Sequence, residues 1–449
     1  MAESRLLAPL DASRLHEHGL LTPGNSPGTY RLHKRRLNRS SDEEYYDIPL
    51  NTAPGSPAFN DAFSTIPVFT ISRETLIYVG LSEEKASEMW NRWIHWPSTG
   101  PCREIDIDDG GLQVTFLDFI IGALENKVDA IEDNDFHWQA CLDACGIDVD
   151  VQRAIMDPHF KHLRLSASCL YWVKDTIEMR YAGLKTFRDR RVCERWNCSE
   201  RRLARVDMKE ANHQQQSTPR IELDLWGSES VIAALNAPGY TVLFKGIDQG
   251  RIAGLFDDMR ALDHIETLLS SPPSDFSGTR SLFYFTPNHQ VAQYYAAYAK
   301  RRANCESIVI LCLRIPNDAI ESLTEADIQR IYWPSSEWKE LVWRSRTLQP
   351  LPSHLRKYRR AVLVIGTISR KPDRLYHSMG SWKEVTEDCV LRVESSGQSN
   401  IGIQYVFSGE EDGHEFLVEH GARNISALPY PASQLEAWLA ENDHNPAQS

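Results

Sequence analysis

The stretch "SLFYFTPNHQVAQYYAAYAKRR", residues 281–302, decides how the second half of the chain is read. Its opening residues are packed with aromatics and read as a strand. Thr286 is a good helix N-cap, Pro287 suits the first helical position, and Val291, Tyr294 or Tyr295, and Tyr298 recur on one face. Lys300, Arg301 and Arg302 close the last turn, where cations oppose the negative helix end. The segment therefore predicts a strand, a sharp turn and a helix. On spacing alone its Tyr and Phe residues are core.

Working outward, short β-rich runs lie at 240–247, 281–286, 307–316, 340–345 and 361–368, and strands continue at "CVLRV" and "IGIQYVF". Helical patterns fall around 251–269, 288–302 and 324–331, and "SQLEAWLAEN" predicts a final amphipathic helix. Some successive strands lack an obvious crossover helix between them, which indicates α+β rather than strict βαβ alternation. Residues 66–206 read as mostly helical. In "LSEEKASEMWNRWIHW", Ser82 is the N-cap, and Ala86, Met89, Trp90, Trp93 and Ile94 share a face; Leu170, Val173, Ile177, Tyr181 and Leu184 form another. The expected organisation is a disordered tail at 1–62, a helical domain at 63–206 and a polar linker at 207–222. An α+β domain at 223–372 and a β-rich extension with a terminal helix at 373–449 complete it.

The tail holds six Pro in its first sixty residues, together with Thr22 and Ser26 before Pro and Ser40 and Ser41 between Arg35, Arg36 and Arg39 and an acidic run. Phosphate at Ser40 or Ser41 would face those arginines. With 49 basic and 62 acidic residues the formal charge is −13, which disfavours nonspecific attraction to nucleic acid or an anionic membrane. No secretory signal or bilayer-length apolar run is evident, and nine irregularly spaced Cys are expected as reduced thiols, so the reading is an intracellular protein, cytoplasmic or nuclear.

Three pieces carry a family resemblance. "LFKGI" is a strand ending in Lys245–Gly246, "FYFTPNHQVAQYYAAYA" is a strand with Tyr284 followed by an Ala- and Tyr-rich helix, and "ELVW" opens with Glu340. In this order they resemble the ADP-ribosyltransferase fold of the diphtheria-toxin and poly(ADP-ribose) polymerase type, over about 238–370. The resemblance implies a split β-sheet, NAD as substrate, and a protein or small-molecule acceptor. It assigns Glu340 to the catalytic glutamate, which would stabilise an oxocarbenium-like state by opposite charge. Tyr284 would stack on nicotinamide, and Lys245, Gly246 and Thr286 would border the NAD site. Lys stands where the family carries His or Arg, and Trp338 stands where the arginine-modifying branch carries Glu or Gln. The alternative reading is a catalytically inactive scaffold that meets protein partners through its helical domain and phosphorylatable tail.

Other clusters read as structural. His137, Cys141 and Cys145 share i, i+4, i+8 spacing, with His159 and His162 as the nearest further ligands, but a half-buried helix face is the better account and no metal is expected. The seven arginines of 187–205 are interleaved with acids, as on an exposed, ion-paired helix.

Overall fold

The computed structural model describes residues 5–33, 63–97, 99–106, 111–207, 237–257, 262–303, 308–395 and 398–442, and the fold is mixed α+β. Within the expected tail, residues 5–33 are folded. A helix Pro9–Glu17 precedes strands Leu21–Pro23 and Thr29–His33, which pair antiparallel with each other, and Thr29–His33 pairs antiparallel with Phe63–Pro67 on its other side. Leu6, Leu7, Leu15, Leu21 and Leu32 are buried there. The leucines are too scattered to show a period, and the third strand lies thirty residues downstream of the second, so no local pattern announces the sheet. Thr22 sits in a strand opposite Arg31, and Ser26 lies exposed in the turn. Ser40 and Ser41 lie outside the described residues, as do 208–236, which include nearly all of the expected linker.

The helical part follows the sequence reading closely. Ser82 caps Glu83–Ile94 by accepting from the Lys85 N–H, and Ala86, Met89 and Trp93 are buried while Ile94 is exposed. Thr115 and Asp118 form a reciprocal capping box on Phe116–Gly122, and Asn134 caps Asp135–Cys145. Cys169–Asp207 is a single long helix that buries Val173, Ile177, Tyr181 and Leu184 on one side. His137 is exposed whereas Cys141 and Cys145 are buried, so the three do not share a surface. Among the described residues no group of three or more His, Cys, Asp or Glu could hold a metal ion. Side chains from 189 through the basic stretch lie outside the described residues.

Two sheets organise the C-terminal part. One has the order Ile328–Ile331, Leu363–Thr367, Ile403–Ser408, Leu282–Phe285, Leu269–Ser270, and is antiparallel except for its first pair. The other is antiparallel, in the order Ile425–Pro429, Ile308–Pro316, Tyr240–Asp248. The sheets meet at one bridge, where Phe244 and Thr286 exchange N–H···O bonds of 2.7 and 2.9 Å. The described residues of 373–449 are therefore integral, because Ile403–Ser408 is the central strand of the first sheet and Ile425–Pro429 an edge of the second. Two local expectations are also corrected. Ile328–Ile331 is a strand rather than a helix, and 340–345 lies inside the helix Ser336–Arg346 rather than a strand. "ELVW" alone looks β-prone, but over eleven residues Trp338, Leu341, Val342 and Ser345 recur at helical spacing. Ser335 caps that helix through the Trp338 N–H at 3.2 Å.

The helix of the opening stretch, His289–Arg302, joins the two halves. One face packs on Tyr240–Asp248 so closely that a Cβ at Gly246 would stand 2.3 Å from the Ala292 carbonyl oxygen. The other enters the helical part. The Leu163 N–H donates to the Tyr294 hydroxyl at 3.2 Å, Tyr298 donates to the Ile155 carbonyl at 3.0 Å, and Arg301 donates to Asp157 at 2.7 Å. Phe160 stacks on both Tyr298 and Trp438. One apolar cluster runs from Leu6 and Trp93 through Trp172 and Tyr298 to Tyr430 and Trp438, so the boundary expected near 206 does not separate two cores. Since both atoms facing Gly246 within 3 Å belong to helix backbone, Gly246→Ala is expected to destabilise by about 1–3 kcal/mol, as overpacking does, read as a lowered urea midpoint.

Candidate functional site

Each residue assigned from the family resemblance is held by an internal partner. Lys245 projects from Tyr240–Asp248, and its Nζ donates to the Leu268 carbonyl at 2.9 Å and to Ser270 Oγ at 3.3 Å while lying 6.0 Å from the Phe285 ring centroid. Burial, with the charge of Arg251 adding, pushes its ammonium down to about 8. Gly246 is required by helix packing. Thr286 Oγ1 donates to the Ile403 carbonyl at 2.8 Å and accepts from the Asn288 N–H at 3.2 Å. Asn288, not Thr286, is the N-cap, and the helix starts at His289.

Tyr284 donates its hydroxyl proton to Ser274 Oγ at 2.7 Å and accepts from the Phe276 N–H at 3.4 Å. Burial and then the charge of Asp275 push its phenol well above its ordinary pKa. Successive strand residues face opposite sides, so Phe285 joins the core with Leu243 and Leu311 while Tyr284 joins the one with Trp338 and Tyr376. Lys245 is on the Phe285 side, away from the Tyr284 ring. Glu340 lies in mid-helix, with Oε1 accepting from Arg344 Nε at 2.8 Å and Oε2 at 3.1 Å from His354 Nε2. Lys245 thus lies on the Phe285 side and Tyr284 on the other, and Glu340 is paired with Arg344 and His354.

The structure instead gathers residues that no local motif singled out. Asp275, only 4% exposed, is the centre. Its Oδ1 accepts from Arg346 Nη2 and Ser369 Oγ, both at 2.5 Å, and from Arg346 Nε at 3.1 Å. Its Oδ2 accepts from the Ser369 N–H at 2.7 Å and from Gln404 Nε2 at 2.8 Å. Arg346 also donates to Asp373 at 2.9 Å. Burial works against the Arg346 charge, and Asp275 and Asp373 more than offset it, leaving its pKa raised. The cluster ties together the turn before Leu282–Phe285, the helix Ser336–Arg346 and the ends of two strands. The only sequence signal nearby is "SPPSDFSGT", whose Pro, Ser, Asp and Gly mark a turn and say nothing of its partners. With five hydrogen bonds on one carboxylate, the arrangement is that of a closed structural lock rather than an open acid or base.

The depressed Lys245 value makes a pH prediction. Below pH 8 the buried ammonium is a cost of folding that is fully present; it fades as pH rises from about 8 toward the unfolded value of about 10.4. The contribution of Lys245 to stability should therefore rise with pH in that window, by at most ~1.4 kcal/mol per unit. Lys245→Met is expected to flatten that rise in urea titrations at about pH 7.5 and 9.5; an unchanged slope would refute it.

No family model matches the chain, and no curated protein or solved structure matches it. No helix among the described residues is long and apolar enough to cross a membrane.

Proposed function

We propose that the C-terminal part is an ADP-ribosyltransferase-like fold kept as a scaffold, and that the protein acts by binding partners rather than by turning over NAD. The observation that carries this reading is the fate of the acidic position. The family's glutamate heads a strand and is followed by a Tyr-Ile-Val-Tyr pattern. Here the strand paired with Tyr284 reads Gln404–Tyr405–Val406–Phe407, with Val406 opposite Tyr284. An uncharged amide at that position cannot supply the opposite charge that an oxocarbenium-like state requires, and its N–H is committed to Asp275. Glu340 is in a helix, committed to Arg344. The fold reading is supported by the first two pieces of the resemblance. They are strands that meet at the Phe244–Thr286 bridge, and the second runs into the Ala- and Tyr-rich helix.

The test is nicotinamide release from labelled NAD by the full chain, Glu340→Gln and Gln404→Glu. Wild type and Glu340→Gln should both release nicotinamide no faster than the uncatalysed background. Release by wild type that Glu340→Gln abolishes would overturn the reading and restore Glu340 as the catalytic acid. Release by wild type that survives Glu340→Gln would also overturn it, with another group supplying the charge.

A further inference from the structure

At the end of the five-stranded sheet away from Thr286 and Gln404, four arginines line one open cavity. It has a volume of about 400 Å³ and is lined by Arg280, Arg356, Arg359 and Arg360 together with Pro350 and Leu351. Arg280 lies two residues before Leu282–Phe285, and Arg360 three residues before Leu363–Thr367. The antiparallel register Ser408↔Leu282 brings Glu410 to the same end. Arg280 donates to Glu410 at 2.6 Å and to the Arg359 carbonyl at 3.3 Å, so one corner already holds a carboxylate on a guanidinium.

The other three differ. Arg356, Arg359 and Arg360 belong to the one-turn helix Arg356–Arg360, are exposed, and make no ion pair or side-chain hydrogen bond with any described residue. Lys357 and Tyr358 of the same turn are both tied to Glu337. Like charges at i, i+3 and i, i+4 repel, which makes an unpaired trio on one turn a feature that an external anion would relieve. The apolar side of the cavity is also fixed. Glu340 accepts from Arg344 Nε at 2.8 Å, and Arg344 Nη1 donates to the Pro350 carbonyl at 3.0 Å, which anchors the Pro350–Leu351 wall.

We infer that this cavity binds an organic diphosphate, of which a nucleoside diphosphate is the model. Guanidinium forks match phosphate oxygens in paired, charge-assisted hydrogen bonds. Three unpaired guanidiniums suit a ligand with about three negative charges rather than a single carboxylate. The volume exceeds what an inorganic phosphate fills and falls within the ~300–1,000 Å³ of small-ligand sites, leaving room for an organic group against Pro350 and Leu351. The inference goes beyond the scaffold reading and does not depend on whether NAD is turned over, which the nicotinamide assay reads separately.

Isothermal titration calorimetry of the full chain with ADP and with pyrophosphate, at about 0.15 M salt, tests it. Saturable binding of both is expected, with ADP the tighter because only it reaches the apolar wall. The double variant Arg359→Gln/Arg360→Gln should weaken both by about tenfold or more, since each lost contact is to phosphate. Arg356→Gln should weaken both to a smaller extent. All three side chains are exposed, so the variants should keep the wild-type fold. No saturable heat with either ligand would overturn the inference. So would affinity unchanged in the double variant, or binding of a single-stranded oligonucleotide without binding of ADP.

Discussion

Asp275→Ala is expected to lower the stability of the chain by about 3–5 kcal/mol, the loss that follows when one partner of a buried ion pair is removed and the other stays behind. The expectation rests on what is left unmatched: the Arg346 guanidinium, the Ser369 N–H and hydroxyl, and the Gln404 amide would lose their shared acceptor together. Arg346 would retain Asp373, which is more exposed, and the loss should therefore stay within this range rather than exceed it. The double variant Asp275→Ala/Arg346→Met should cost less than the two single losses added, because removing both members leaves no stranded charge. Urea denaturation of the three variants provides the measurement. A loss below about 1 kcal/mol for Asp275→Ala would mean that water replaces the carboxylate and that the cluster is not a lock.

A loss of the same order, about 3–5 kcal/mol, is expected for Arg302→Met. Arg302 is 3% exposed at the end of the joining helix. It donates to Asp175 at 2.7 Å and Thr176 at 2.8 Å, and its guanidinium lies 4.6 Å from the Trp172 ring centroid and 4.4 Å from that of Tyr298. Burial would raise the Asp175 carboxyl, but Arg251 and Arg302 more than offset it and hold its pKa below the ordinary value. A carboxyl held low stabilises at neutral pH, and the contribution disappears as pH falls through its folded value, so Arg302→Met should also reduce the acid sensitivity of unfolding. Arg302→Lys should not restore wild-type stability, because an ammonium lacks the flat guanidinium face that lies over two rings while its Nη1 bonds two acceptors. Full stability of the Lys variant in urea titrations, followed by Trp fluorescence, would count against this account.

Both predictions concern places where segments far apart in the chain are joined, and it is there that sequence and structure part. The periodic helices were legible because their information is local. Ser82 with its buried Ala86, Met89 and Trp93, and the Val173 to Leu184 face, state in one segment both that a helix forms and which side is buried. The strands at 240–248, 282–285, 308–316 and 363–367 were legible for the same reason. Helix Ser336–Arg346 was misread because a four-residue apolar run carries no period. The small N-terminal sheet was missed because its third strand enters from beyond a long interruption.

The site residues followed the same division. The sequence by itself determined the composition, the local elements and the strand–turn–helix at 281–302. It also places Arg356, Arg359 and Arg360 within five residues, although only the structure shows the turn that carries them. Only the tertiary structure decided that Lys245 lies toward Phe285 while Tyr284 faces the core of Trp338 and Tyr376, and that Glu340 steadies Arg344. Only it brought Asp275, Arg346, Ser369 and Gln404 together, and Arg280 to the arginine turn. The physical reason is range. Helix periodicity, capping and strand alternation are set by neighbours a few residues apart. The partner of a buried carboxylate is whichever group the packed chain brings within hydrogen-bond reach, and Gln404 reaches Asp275 across 129 residues.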